Sequence, residues 1–299
     1  MVVKIGSFQR KEMVLLTRLL TGGLVVLLMV HVASAVTPQP DDLVRARLLA
    51  DRSAIVPGEP FQIGLHLKIQ PQWHVYWINA GDGGLATTVE LHLPEGFKAS
   101  AVRYPVPRAF VSTGQIVNYG YEDEVLLIAT ITPPKQLAPS PVTIAAEATW
   151  LVCKELCLPG QAKLQLTLPV GGGQEPPGQD SQLFAQWSGR MPVEASASPL
   201  VSQVEQLPSS PGWIEYRIDW KGHPPGGLEW FPPPSPSVSF SRIELQTNGS
   251  TTLLRAGYDV LAGHKPPATL HGSVLGFQTE AGQRGGIELS INIATPRQY

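Results

Sequence analysis

The 299 residues contain two cysteines, four positions apart in "TWLVCKELCLPG" (149–160). Cys153 and Cys157 can do three kinds of chemistry. They can staple the backbone, hold a soft metal ion as a thiolate pair, or exchange electrons as a redox dithiol. Spacing constrains all three. On a continuous strand, Cα atoms four residues apart lie roughly 13 Å from each other at about 3.3 Å per residue, whereas a disulfide needs about 4.4–6.8 Å. The strand through Trp150 must therefore end near Cys153, and the chain must curl. One helical turn would bring positions i and i+4 together, and Pro159-Gly160 would stop it from growing into a helix. Closing so short a loop removes little chain entropy, which weakens the case for a staple. A strained, exposed bond is also the more easily reduced one. Lys154 beside Cys153 favours a thiolate, and Glu155 opposes it. A metal site needs more ligands, and His66, His74, His92, His223, His264 and His271 are scattered without ligand spacing. His66 and His92 fall on the polar phase of their strands, so solvent exposure is expected. His74, in "QWHVYW", is the histidine able to approach the cysteines in space. On the residues alone, the three readings stay open.

The elements that must position this pair are strands. "FQIGLHLKI" (61–69) alternates through Phe61, Ile63, Leu65, Leu67 and Ile69, and "TVELHL" (88–93) through Val89, Leu91 and Leu93. "VLLIATI" (125–131) is a continuous apolar run, as in a strand buried on both faces. "VTIAAEATW" (142–150) and "KLQLTLPV" (163–170) alternate again. Turn chemistry separates them: "PGEP", "GDGG", "LPEG" and "TPP". This pattern predicts an all-β, immunoglobulin-like antiparallel sandwich over 43–170. "GGGQEPPGQD" (171–180) reads as a linker. "SQLFAQWSGRM" (181–191) places Leu183, Phe184, Trp187 and Met191 at helical spacing, with Asp180 or Ser181 as cap, and predicts a short docking helix. Over 192–299 the text is strand-like again. "WIEYRIDW" (213–220) and "GIELSINI" (286–293) alternate, and 242–258 reads as a hairpin turning at Asn248-Gly249. A second sandwich follows, with the aromatic and proline-rich "LEWFPPPSPSVSF" (228–240) read as an edge loop, the alternative being an interface.

Bulk composition agrees. Hydrophobic residues make up 43% and charged ones 15%, with 29 Gly and 29 Pro, which favours short strands and many turns. A net charge of −2 gives no nucleic-acid footprint. At the start, Arg10, Lys11 and Arg18 precede an apolar run (19–32) and "ASA" (33–35), which together read as a cleaved signal peptide over 1–35, with Met1 or Met13 as the start. Export is then expected, with no membrane span after cleavage and a compartment where disulfides persist.

Several stretches resemble one family: 57–97 with "WHVYW", "YPVPRAF" (104–110), "NYGYEDEVLL" (118–127) and "WLVCKELCLPG" (150–160). Together they are similar to the amino-terminal periplasmic domain of the thiol:disulfide interchange protein DsbD, closer to the branch represented by the copper-sensitivity suppressor ScsB. The resemblance implies an immunoglobulin-like domain in the periplasm. Such a domain takes electrons from a thioredoxin-like partner and reduces disulfides in periplasmic client proteins, without a cofactor or a metal. It implies Cys157 as the attacking thiol and Cys153 as the resolving one. In the family an aromatic ring on a loop caps the cysteines. The matching "NYGYE" segment implies Asn118, Tyr119 and Tyr121 as cap residues, with Trp150 and Lys154 as further neighbours. These 299 residues hold no C-x-x-C and no multi-span segment, so separate proteins are expected to supply the electrons. The alternative is a binding module, for copper or a protein partner, that keeps the pair as ligand or staple.

Overall fold

The computed structural model describes residues 39–112, 114–173, 176–280 and 282–293. The expected leader, 1–35, lies outside the described residues. Among those described, no helix is long and apolar enough to cross a membrane.

The first sandwich uses ten strands: β1 (Val44–Ala50), β2 (Phe61–Ile69), β3 (His74–Gly81), β4 (Thr88–His92), β5 (Lys98–Ala99), β6 (Arg108–Ser112), β7 (Ile116–Glu122), β8 (Glu124–Thr132), β9 (Val142–Cys153) and β10 (Cys157–Leu168). One sheet runs β1-β2-β8-β5. The other runs β10-β9-β3-β7-β6, with β4 also paired to β9. The alternating residues of β2 and β9 turn into the space between the sheets, where Leu65, Leu67, Ile144, Ala148 and Trp150 are buried. Val125–Ile128 in β8 are all buried, as expected for a strand covered on both faces.

The second cover on β8 is the helix α1 (Ser181–Ser188), with Phe184 and Trp187 buried beneath it. Asp180 takes the N-cap position without a side-chain capping bond. This helix corrects one expectation. His66 is buried, and its Nε2 lies 3.0 Å from Glu124 Oε2. The outer face of β2 is not open to solvent: Gly64 leaves room there for the Phe184 ring. The Gly/Pro segment after β10 is pinned rather than loose. Pro177 bridges to Arg52, Gly178 N donates to the Asp51 carbonyl (2.9 Å), and Ser53 Oγ donates to the Pro176 carbonyl (2.7 Å).

The second sandwich comprises β11 (Val193–Glu194), β12 (Val201–Leu207), β13 (Trp213–Trp220), β14 (Gly226–Phe231), β15 (Val238–Asn248), β16 (Thr251–Val260), β17 (Thr269–Gln278) and β18 (Arg284–Asn292). Its sheets run β11-β18-β17-β14 and β12-β13-β16-β15. The expected hairpin closes at the pair Asn248–Thr251, so Gly249 (φ +59°) and Ser250 form its tip. The segment expected to be an edge loop is instead an internal contact. Phe231, Pro232 and Pro233 are buried, and Phe231 and Val274 join the apolar cluster of the first sandwich.

Candidate functional site

Cys153 ends β9 and Cys157 begins β10, and the two stand directly opposite each other in the antiparallel register. They are joined by a disulfide, with Cα atoms 4.2 Å apart. The expected stop at Cys153 is present, but the curl is a three-residue hairpin loop, Lys154-Glu155-Leu156, and not a helical turn. Lys154 N donates to the Leu156 carbonyl across it (3.1 Å). Pro159 and Gly160, expected as breakers, lie within β10. That strand is a sheet edge, where a missing N–H is tolerated.

Side-chain parity decides what surrounds the sulfurs. Cys153 pairs with His74 on β3, so the two project to the same face. Tyr76, two residues on, shares that face. Tyr76 pairs with Gly120, itself paired with Arg108, and the next outward pair is Asn118 with Phe110. The face opposite the core thus carries Cys153, His74, Tyr76, Asn118 and Phe110. Tyr119, Tyr121 and Trp150 have the other parity and belong to the core. Tyr119 packs edge-on against Trp77 and Phe231, and the Tyr121 hydroxyl donates to the Pro105 carbonyl at 2.7 Å. Burial pushes the Tyr119 pKa up to about 12 and the Tyr121 pKa well above its ordinary value. Trp150 lies across Gly160, where a Cβ would stand 2.3 Å from its Nε1. None of these three rings is the expected neighbour of the sulfurs.

Tyr76 takes that place. Its hydroxyl donates to Cys153 Sγ at 3.1 Å and lies 3.9 Å from Cys157 Sγ. Burial raises the Tyr76 pKa, so the phenol keeps the proton it donates. His74 stacks on Phe110 with ring centroids 4.7 Å apart and meets Tyr76 edge-on at 5.3 Å. Its Nε2 is buried without a hydrogen-bond partner among the described residues. Burial holds the imidazole pKa below the usual value, with Glu122 pulling the other way. Lys154 Nζ donates to Gln72 Oε1 at 2.6 Å, which secures the hairpin tip to the turn before β3. Asn118 is on the sulfur face, where its Oδ1 accepts from Gly83 N at 3.1 Å.

The two cysteines are not equivalent. Cys153 is 1% exposed, whereas Cys157 is open to solvent. Leu156 in the hairpin loop between the cysteines and Leu85 in the loop that covers Tyr76 are exposed apolar residues. Among the described residues, no group of three or more His, Cys, Asp or Glu side chains is arranged to hold a metal ion. The arrangement supports thiolate attack at an accessible sulfur, with a buried sulfur as leaving group beside a hydroxyl donor.

Residues 45–169 match the family model described as thiol:disulfide interchange protein DsbD, N-terminal. No curated protein matches the chain. Among solved structures, the N-terminal periplasmic domain of ScsB from Proteus mirabilis aligns with a TM-score of 0.62 at 20% identity, covering 86% of this chain and 97% of that one. It shares the fold across both sandwiches. The N-terminal domain of DsbD from Neisseria meningitidis, in its reduced form, aligns at 12% identity with a TM-score of 0.27, covering 48% of this chain and 96% of that one.

Proposed function

We propose, on the match of residues 45–169 to the DsbD N-terminal domain family model, that the protein is a periplasmic disulfide-reducing relay component working through Cys153 and Cys157. Thiol:disulfide interchange is the chemistry of the family. The assignment of roles to the two cysteines is supported by one observation, the unequal exposure of the two bonded residues.

In the reduced protein, the Cys157 thiolate attacks one sulfur of a client disulfide, and the client's other sulfur leaves as a thiolate. Cys153, deprotonated, then attacks Cys157 Sγ and expels the second client sulfur. The client gains two electrons and two protons, and the Cys153–Cys157 disulfide forms. A separate thioredoxin-like dithiol reverses the sequence. It attacks the exposed Cys157, and Cys153 leaves as a thiolate beneath the Tyr76 hydroxyl. The exposed Leu85 and Leu156 offer apolar contact to a docking partner.

The test uses single-cysteine variants and oxidised glutathione. Cys153→Ala should acquire one glutathione at Cys157, seen as a mass increase, and a thioredoxin-like donor should remove it. Cys157→Ala should react at least about tenfold more slowly, because its remaining thiol is buried. Equal reactivity of the two variants would overturn the role assignment. A wild-type disulfide with a potential below about −300 mV, untouched by thioredoxin, would mark it as a structural staple.

A further inference from the structure

Between Tyr76 and Gly81 the pairing of β3 with β7 is interrupted, and the intervening residues reach the second sandwich. Trp77 meets Phe231 edge-on, with centroids 6.1 Å apart. Asn79 Nδ2 donates to the Pro232 carbonyl at 2.9 Å and to the Pro233 carbonyl at 3.4 Å, while its Oδ1 accepts from Gly81 N at 3.0 Å. Two carbonyls on one side and an N–H on the other admit a single amide orientation.

Past Asn79 the chain folds back over the redox site. Asp82 N donates to the Val117 carbonyl, and Asp82 Oδ2 accepts from Val117 N, both at 2.8 Å. Asn118 holds Gly83 N, as described above. Gly84, at φ +104°, then lies flat on Tyr76: a Cβ there would stand 2.3 Å from the ring carbon Cε1. The Tyr76 hydroxyl completes the line to Cys153. A continuous series of contacts thus runs from Pro232-Pro233 in the second sandwich to a sulfur in the first.

We propose that Asn79 is a positioning residue for the dithiol, and that the second sandwich, through its Pro232-Pro233 carbonyls, is the buttress that keeps the 81–87 loop pressed on Tyr76. The proposal rests on the redox reading of the pair. Cys153 is shut off from water, so the Tyr76 hydroxyl is the donor that favours its thiolate over its thiol. Favouring that thiolate stabilises the reduced state and makes Cys153 a better leaving group when a donor attacks Cys157. A loop freed from its anchor gives the ring room to withdraw.

The full chain is equilibrated in glutathione redox buffers, where two glutathione thiols reduce the Cys153–Cys157 disulfide and one oxidised glutathione forms. Asn79→Asp keeps an acceptor for Gly81 N but cannot donate to the two prolines. It should lower the equilibrium constant for reduction by about tenfold, or about 30 mV. Tyr76→Phe should lower it at least as much, and the double variant no further than Tyr76→Phe alone. Asn79→Ala, which introduces no charge, should move in the same direction. A wild-type constant in Asn79→Ala, or full additivity of the Asn79→Asp and Tyr76→Phe effects, would overturn the proposal. A wild-type disulfide that neither glutathione nor thioredoxin reduces would instead overturn the redox reading on which it rests.

Discussion

His74 occupies an unusual position for an imidazole: stacked on Phe110, edge-on to Tyr76, and buried at Nε2 without a partner among the described residues. Burial holds its folded pKa below the ordinary value of about 6.5. A base with a lowered folded pKa takes up its proton more readily when unfolded. As pH falls below about 6.5, the unfolded chain binds more protons, and stability is lost until the folded pKa has been passed. His74→Phe keeps an aromatic ring for the Phe110 stack but does not titrate. The gap in urea midpoint between this variant and the wild type should therefore widen in the variant's favour between pH 7 and pH 5, and stay constant above pH 7.5. A gap independent of pH would mean that the imidazole is not held neutral by burial. Tyr76 shows why residue roles were only partly legible in the sequence. His74, two residues before it in "WHVYW", could be flagged only as a histidine able to approach the cysteines in space. Which tyrosine touches sulfur depends on strand parity relative to Cys153, and parity requires the register between β3 and β9. Tyr119 and Tyr121 have the wrong parity, though they lie in the matching motif.

At the scale of elements, the β9–β10 hairpin sets the geometry of the pair. Its strands run in uninterrupted register from Val142–Leu168 to Cys153–Cys157, so the sulfurs inherit their approach from the ladder and not from a local turn. A helical turn and a three-residue hairpin loop bring positions i and i+4 to a similar distance, so spacing alone could not separate them. The strands themselves were legible because each buries one face: Ile214, Tyr216, Ile218 and Trp220 in β13 are all buried, as their alternation requires. His66 was misread because alternation says nothing of a helix returning from residue 181 to cover the outer face. Within the hairpin, Gly160 lies against the Trp150 indole with no room for a Cβ. Gly160→Ala should force the indole aside and lower stability by about 1–3 kcal/mol. Urea unfolding should show a reduced midpoint with an unchanged m-value. An unaltered midpoint would show that the indole moves without resistance.

Across the whole molecule, the two sandwiches share apolar substance and not only a linker. Phe231, 0% exposed, extends from β14 into a cluster with Trp77, Tyr119 and Val106. Polar contacts surround it: Val106 N donates to the Arg190 carbonyl (3.0 Å), Arg103 Nη2 to the Pro192 carbonyl (2.8 Å), and Arg284 Nε to the Pro107 carbonyl (2.6 Å). Domains within one chain move relative to each other unless their interface is extensive and apolar, and here a buried aromatic cluster satisfies the second condition. The two sandwiches should therefore unfold as one unit. Phe231→Ala removes the aromatic centre of the contact and leaves a cavity, a change that costs about 3–5 kcal/mol in a fixed core. Calorimetry should show a single transition for the wild type. In the variant it should separate into two, with the second sandwich's own core, built on Ile214, Ile218 and Ile287, melting independently of the first. A wild type that already melts in two steps would mean that the cluster does not couple the sandwiches. The second sandwich would then have no mechanical hold on Tyr76 beyond the Asn79 bonds.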